Sequence, residues 1–469
     1  MNSESQEGTA VEAPTLLWAP RAWLQGGWRE DVLLHIGADG LWADVQAGVA
    51  PPAQAERLAG AVLPGLVNAH SHAFQRAFAG LSERREDEHD DFWSWRDRMY
   101  RIALRISPDQ LRAVAAQLYA ELLRGGYTQV CEFHYLQHRP DGRPYDDAAQ
   151  MCWALADAAA EAGIGLTLLP VLYQRAGFDQ PNLRDDQRRF ATDVNAVLEL
   201  QRAVRHSGRA GLDAGVAVHS LRAAKPAAIS ALAERAGDGP LHIHIAEQTA
   251  EVDACVAAHG LRPIEWLAAH AAPDARWQLV HATHATRAEI DAVARCGAGV
   301  VLCPSTEANL GDGLADLPGW LDAGVPLAIG SDSHATRAWR EELRWLEYGQ
   351  RLHLRRRNIA AAPGAGQPST AARLWSCVAD GGGRAAGFAR WGLQSGARAD
   401  LLVIDGDDAS LLGVPAAQLL DALVFSSPGR PFRDVLVAGH WAVRNHRQAA
   451  AAGIAARFTS AMQALRSPA

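Results

Sequence analysis

Hydrophobic and polar positions change their rhythm twice along this chain. Residues 15–50 break into short apolar runs with turn punctuation, TLLWAP, AWLQGG, VLLHIGADG and LWADV, which read as strands. The same pattern returns in ADLLVID (399–405) and in DVLVAGHWAVRN (434–445), the latter a hairpin turning at Ala438-Gly439. Two β-rich ends around a different middle predict one small β-sandwich domain built from residues 1–63 and 396–469.

In the middle, 64–395, short apolar runs alternate with longer patterns of helical period. One helix can be argued in detail. Ser107 is an N-cap, Pro108 suits the first helical position and Gln110 completes a capping box. Leu111, Val114, Ala115, Leu118 and Leu122 then share a face, and Gly125-Gly126 stops the helix. Eight apolar runs end in VLPGLVNAH, TQVCEFHY, LTLLPVLY, AGVAVHS, LHIHIAE, WQLVHA, GVVLCPS and PLAIGSD. Eight buried strands with intervening helices predict an α/β fold, a (β/α)8 TIM-like barrel, whose chemistry sits at the C-terminal strand ends. The polar residues fall at those ends, strand after strand.

Composition narrows the class. The 469 residues are 48% hydrophobic, enough for a sizeable core, and a net charge of −8 speaks against a nucleic-acid partner. Lys225 is the sole lysine in an alanine- and arginine-rich chain, a pattern we ascribe to base composition. Cysteines at 131, 152, 255, 296, 303 and 377 form no C-x-x-C pair, so neither a disulfide framework nor a thiolate zinc site is expected. No apolar run approaches the ~20 residues of a membrane span. The opening MNSESQEGTAVEAP lacks the layout of a signal peptide, so a cytoplasmic protein is expected.

The strand ends carry candidate chemistry. Alternation along a strand puts His70 and His72 on one face, where both imidazoles can meet one metal. In HIHIAE, His244 lies nearer the mouth than His242 and is the better third ligand; His242 reads as a packed barrel residue. Glu247 can project over the metal as a proton shuttle. His281, at the end of the sixth run, is the electrophilic or hydrogen-bonding histidine, and His284 behind it reads as a loop residue. Asp332 in GSDSH supplies a carboxylate, with His334 a supporting neighbour. Three histidines and an aspartate suit one Zn²⁺, although such a site also accepts Fe²⁺ or Mn²⁺. The fourth run ends in His219 with no lysine to bridge a second metal, so one ion is expected.

These motifs, PGLVNAHSH, HIHIAE, QLVHATH and GSDSH, in this order and over nearly the whole chain, resemble the amidohydrolase superfamily, in its cytosine-deaminase-like branch. NAHSHAFQRAFAGL (68–81), FWSWRDRMY (92–100), CEFHYLQH (131–138) and VHSLRA (218–223) are more closely similar to its formimidoylglutamate deiminase family. That resemblance implies zinc on His70, His72, His244 and Asp332, and catalysis by Glu247 and His281; from the residues alone, a metal-bound Asp332 can also take the proton of the attacking water. It implies substrate contacts from Gln75, Arg96, Tyr135, His219 and Arg222, and a homodimer. The reaction implied is hydrolysis of N-formimidoyl-L-glutamate to N-formyl-L-glutamate and ammonia, in histidine degradation. The residues support a doubly acidic substrate on their own account, since two carboxylates call for arginine forks. Arg222 follows the fourth strand end, and Arg96 lies after the first beside Trp93 and Trp95. Each has a plainer reading: Arg222 as a solvated loop residue, Arg96 on a surface helix whose tryptophans face the core. Tyr135 either bonds substrate or caps the barrel. Two other functions stand beside this one: a nucleobase or nucleoside deaminase on the same barrel, and a non-catalytic scaffold. The H-x-E…P-C-x-x-C signature of the separate zinc deaminase fold is absent.

Overall fold

The capping box forms as read. In the computed structural model, which describes residues 15–84 and 92–467, Ser107 accepts from the Gln110 backbone N–H, and the Gln110 side chain returns the bond. Two helices follow the first barrel strand: α1 (Phe92–Ala103) and α2 (Pro108–Arg124), which ends at Gly125. Leu111, Val114, Ala115, Leu118 and Leu122 are all buried against the barrel.

All eight expected strands are present: β1 (Leu66–Ser71), β2 (Tyr127–His134), β3 (Gly165–Leu172), β4 (Val216–Ser220), β5 (Leu241–Ile245), β6 (Trp277–His281), β7 (Gly299–Leu302) and β8 (Leu327–Ile329). They pair in parallel in chain order, with helices on the outside. β1 and β8 meet at the mouth. Ser71 bridges Asp332, the Asp332 N–H donates to the His70 carbonyl (3.0 Å) and the His72 N–H donates to the Asp332 carbonyl (3.3 Å). Gly330 permits that approach: a Cβ there would lie 2.6 Å from the His70 Cβ. At the opposite end the helix Thr370–Ala385 turns its last carbonyls inward. The Ala385 carbonyl accepts from His242 Nε2 (2.8 Å) and the Ala386 carbonyl from Thr167 Oγ1 (3.0 Å), which closes the floor and accounts for His242 as a packed residue.

Both chain ends join in one separate eight-stranded sheet, with Val62–Pro64 pairing Leu401–Ile404 at its centre. The hairpin at Ala438-Gly439 is there, with φ of 48° and 80°, the left-handed pair that a two-residue turn requires. Two expectations change. TLLWAP and AWLQGG are one strand, Leu16–Leu24, that continues through Pro20 beside Gly27–Ile36. The run VLPGLVNAH is divided at Gly65 between the two sheets, because the chain crosses there against Thr128, whose Oγ1 would lie 2.2 Å from any Cβ. Arg398 joins the sheet to the barrel floor through Gln129 (2.7 Å) and the Thr128 carbonyl (3.0 Å). The final helix, Ala451–Arg466, packs along α2. Among the described residues no helix is long and apolar enough to cross a membrane.

Candidate active site

Three strand ends converge at the mouth and bring four side chains together. His70 and His72 leave β1, His244 comes from β5 and Asp332 follows β8, and all four are buried. His70 Nε2 lies 3.1 Å from His72 Nε2 and 2.9 Å from His244 Nε2; Asp332 Oδ1 is 3.5 and 3.4 Å from the first two. Hydrogen bonds fix two of the tautomers. His72 Nδ1 faces the Phe133 carbonyl at 2.9 Å and His244 Nδ1 faces the His219 carbonyl at 3.0 Å. A carbonyl only accepts, so each Nδ1 carries the proton and each Nε2 presents a bare lone pair. Lone pairs this close repel unless a cation lies among them. Burial lowers His70 to about 3 and holds His72 and His244 below the usual imidazole range, so the rings are neutral, as metal ligands must be. Burial would raise Asp332, but His70, His72 and His281 together hold it well below the usual carboxylate range. The donor set therefore fits a divalent cation with nitrogen and oxygen ligands.

Two titratable side chains, His281 and Glu247, stand beside this cluster. His281 Nε2 is 3.6 Å from Glu247 Oε1 and 3.7 Å from Asp332 Oδ2, while its Nδ1 is 3.3 Å from Glu307 Oε1. Burial alone would lower His281; Glu247, Glu307 and Asp332 outweigh it and raise the imidazole to about 10. Burial raises the Glu247 carboxyl to about 7 against the pull of His281. His281 and Asp332 both sit in the left-handed region, with φ of 68° and 43°, a costly backbone for residues with side chains and common where geometry serves chemistry.

Every residue expected to touch substrate lines the same cleft. Gln75, Arg96, Tyr135, His219 and Arg222 face into it with His72, His244, Glu247, His281 and Asp332. Gln75 Nε2 donates to Tyr135 Oη at 3.3 Å. Burial and the nearby Arg222 keep His219 neutral. Burial would lower Arg222, but Glu251 holds it charged. Arg96, on α1, lies with its guanidinium 5.6 Å from the centre of the Tyr100 ring. His284 occupies the loop after β6, and His334 supports the mouth by donating to the His72 carbonyl at 3.0 Å.

Sequence reasoning missed the groups that hold these in place. Glu307, on the helix Pro304–Leu310 after β7, also accepts from the Cys303 N–H at 2.9 Å, and so orients His281. Its place directly behind the seventh strand end was the available signal. Glu132 accepts from Ser71 Oγ (2.7 Å) and the Ala73 N–H (2.6 Å), bracing the turn that carries His72. Asp312 approaches Glu247 and His281 and accepts from Gln248, a contact no local pattern announces.

The amidohydrolase family profile matches residues 61–442. The chain is 49% identical over 435 residues to a formimidoylglutamate deiminase of Pseudomonas aeruginosa, covering 92% of this chain and 95% of that one. A crystal structure of an amidohydrolase from Brucella melitensis superposes with a TM-score of 0.92 at 41% identity, covering 96% and 100% of the two chains. An adenosine deaminase from Xanthomonas campestris, solved with bound zinc, shares the fold with a TM-score of 0.78 at 22% identity, covering 96% and 98%.

Proposed function

This chain belongs to the amidohydrolase family, and on that premise we propose that it hydrolyses N-formimidoyl-L-glutamate to N-formyl-L-glutamate and ammonia, with one zinc ion held by His70, His72, His244 and Asp332. The observation that carries the reading is the cleft itself, where a metal-type donor set and two guanidiniums, Arg96 and Arg222, face one space. The 49% identity to a formimidoylglutamate deiminase supports it. Fe²⁺ or Mn²⁺ would also suit these donors. A cytoplasmic homodimer acting in histidine breakdown is part of the same proposal, from the family resemblance.

A divalent cation bound here supplies Lewis acidity, lowering the pKa of water towards neutrality. The chain's own residues do the rest. Arg96 and Arg222 hold the two carboxylates and so place the formimidoyl carbon at the inner end of the cleft. Asp332 accepts the proton of the attacking water. His281, fixed by Glu307, donates a hydrogen bond as charge develops on the reacting group. Glu247 delivers a proton to the departing nitrogen, which leaves as ammonia while the carbon keeps the water's oxygen.

The test is ammonia release from N-formimidoyl-L-glutamate beside guanine, cytosine and adenosine, on zinc-loaded protein. Turnover of the formimidoyl compound alone, with kcat/KM at or above about 10⁴ M⁻¹s⁻¹, is the expected result. Turnover of a base instead would overturn the roles given to Arg96 and Arg222.

A further inference from the structure

Tyr100 on α1 and Tyr173 just beyond β3 line the outer part of the cleft, and both are buried. Gln187, itself buried, lies behind them. Its Oε1 accepts from the Arg184 backbone N–H at 3.0 Å, which fixes the orientation of the amide. Its Nε2 must then donate, to Tyr173 Oη at 3.0 Å and to Tyr100 Oη at 3.3 Å. Each phenol oxygen thus has an acceptor site filled from behind and keeps its own proton. The two oxygens are 3.5 Å apart, so one of the protons at most is spent between them. At least one remains for the cleft, where Arg96 and Arg222 supply positive charge around Tyr173.

The support is rigid. Arg189, two residues after Gln187 and fully buried, bonds the Ala103 carbonyl at the end of α1, the Ile106 carbonyl (3.0 Å) and the His138 carbonyl (2.7 Å). It fastens the segment bearing Gln187 to the helix bearing Arg96 and Tyr100. Such a clamp holds neutral donors at a set distance from the guanidiniums, an arrangement suited to an anion of fixed shape.

We infer that Tyr100 and Tyr173, aimed by Gln187, donate their hydroxyl protons to a substrate carboxylate and complete the diacid pocket of Arg96 and Arg222. This rests on the proposed function and adds the residues that set its specificity.

The experiment is steady-state ammonia release by wild type, Tyr173→Phe, Tyr100→Phe and Gln187→Met on three substrates. These are N-formimidoyl-L-glutamate, 4-(formimidoylamino)butyrate, which lacks the α-carboxylate, and N-formimidoyl-L-2-aminobutyrate, which lacks the side-chain carboxylate. With the diacid, at least one Tyr→Phe variant is expected to raise KM about tenfold or more with kcat within about threefold, the size of a lost hydrogen bond to a charged group. With the monoacid that lacks the bound carboxylate, the same substitution should change KM by less than about twofold. Gln187→Met keeps both hydroxyls but frees their rotation, and should raise KM for the diacid by roughly threefold. It provides a separate reading should a tyrosine variant fold poorly. An unchanged KM for the diacid in all variants, or an equal rise on all three substrates, would overturn the inference while leaving the proposed function in place. A wild type that turns over none of the three overturns both.

Discussion

The inner end of the cleft hangs on strand ends, whereas the outer end hangs on α1, on the segment that follows β3 and on the turn after β4 that bears Arg222. His70, His72, His244, His281 and Asp332 project from or closely follow hydrogen-bonded β-strands, and the rings of His72, His244 and His281 are locked by backbone carbonyls or a carboxylate. Arg96, Tyr100 and Gln187 sit on elements whose positions depend on side-chain contacts such as those of Arg189. Barrel chemistry of this sort keeps reacting groups on the rigid frame and leaves recognition to the variable connections. Damage to the inner end should therefore appear in kcat and metal content, and damage to the outer end in KM.

The largest effect is expected from Asp332→Ala. It removes a donor and leaves His70, His72 and His281 without their shared carboxylate. Activity should fall by at least about 10⁴-fold and metal content should drop, read by ammonia release and elemental analysis. Next comes Glu247→Gln, which keeps the metal donors and removes the acid. A fall in kcat of about 10²–10⁴-fold with metal retained is the expectation; a rate within tenfold of wild type would remove Glu247 from the mechanism.

Smaller effects probe the frame. Gly330→Ala would force a methyl against the His70 Cβ and its backbone, where the barrel closes. A loss of about 1–3 kcal/mol in stability is expected by denaturant titration, and an unchanged midpoint would mean that the closure is looser than described. The smallest effect per pH unit concerns Glu342, which accepts from the Ser305 N–H (2.9 Å) and Oγ (2.6 Å) on the helix that carries Glu307. Burial raises Glu342 to about 8, above the usual carboxylate value. Between those two pKa values the folded chain holds a proton that the unfolded chain releases, so this group's contribution falls as pH rises. The slope is on the order of 1 kcal/mol per pH unit, lost above about pH 8 once both states are ionised. Thermal melts from pH 6 to pH 9 should be flatter for Glu342→Gln than for wild type.

The same contrast explains what the sequence made legible. Strand ends announce themselves because an apolar run stops at a polar residue, and a barrel fixes where that residue must point; His70, His244, His281 and Asp332 were readable for that reason. The family resemblance pointed to Gln75, Tyr135 and His219, which line the same cleft although no local pattern places them there. Tyr100, Tyr173 and Gln187 were not readable. They meet only through contacts between α1 and the segment after β3, and residues 100 and 187 share no periodicity that would pair them. Asp312 was hidden likewise, and Glu307 was overlooked although it stood in view behind β7. The division of one apolar run at Gly65 was also hidden, since only the neighbouring Thr128 shows why the chain must change sheets.

The most direct test of the division between the two ends is one set of steady-state constants, measured on N-formimidoyl-L-glutamate for wild type, Glu247→Gln and Arg222→Met at equal metal loading. Glu247→Gln is expected to lower kcat by about 10²-fold or more with KM within about threefold. Arg222→Met is expected to raise KM by about tenfold or more with kcat within about tenfold. Loss of kcat alone in Arg222→Met, or of KM alone in Glu247→Gln, would contradict that division.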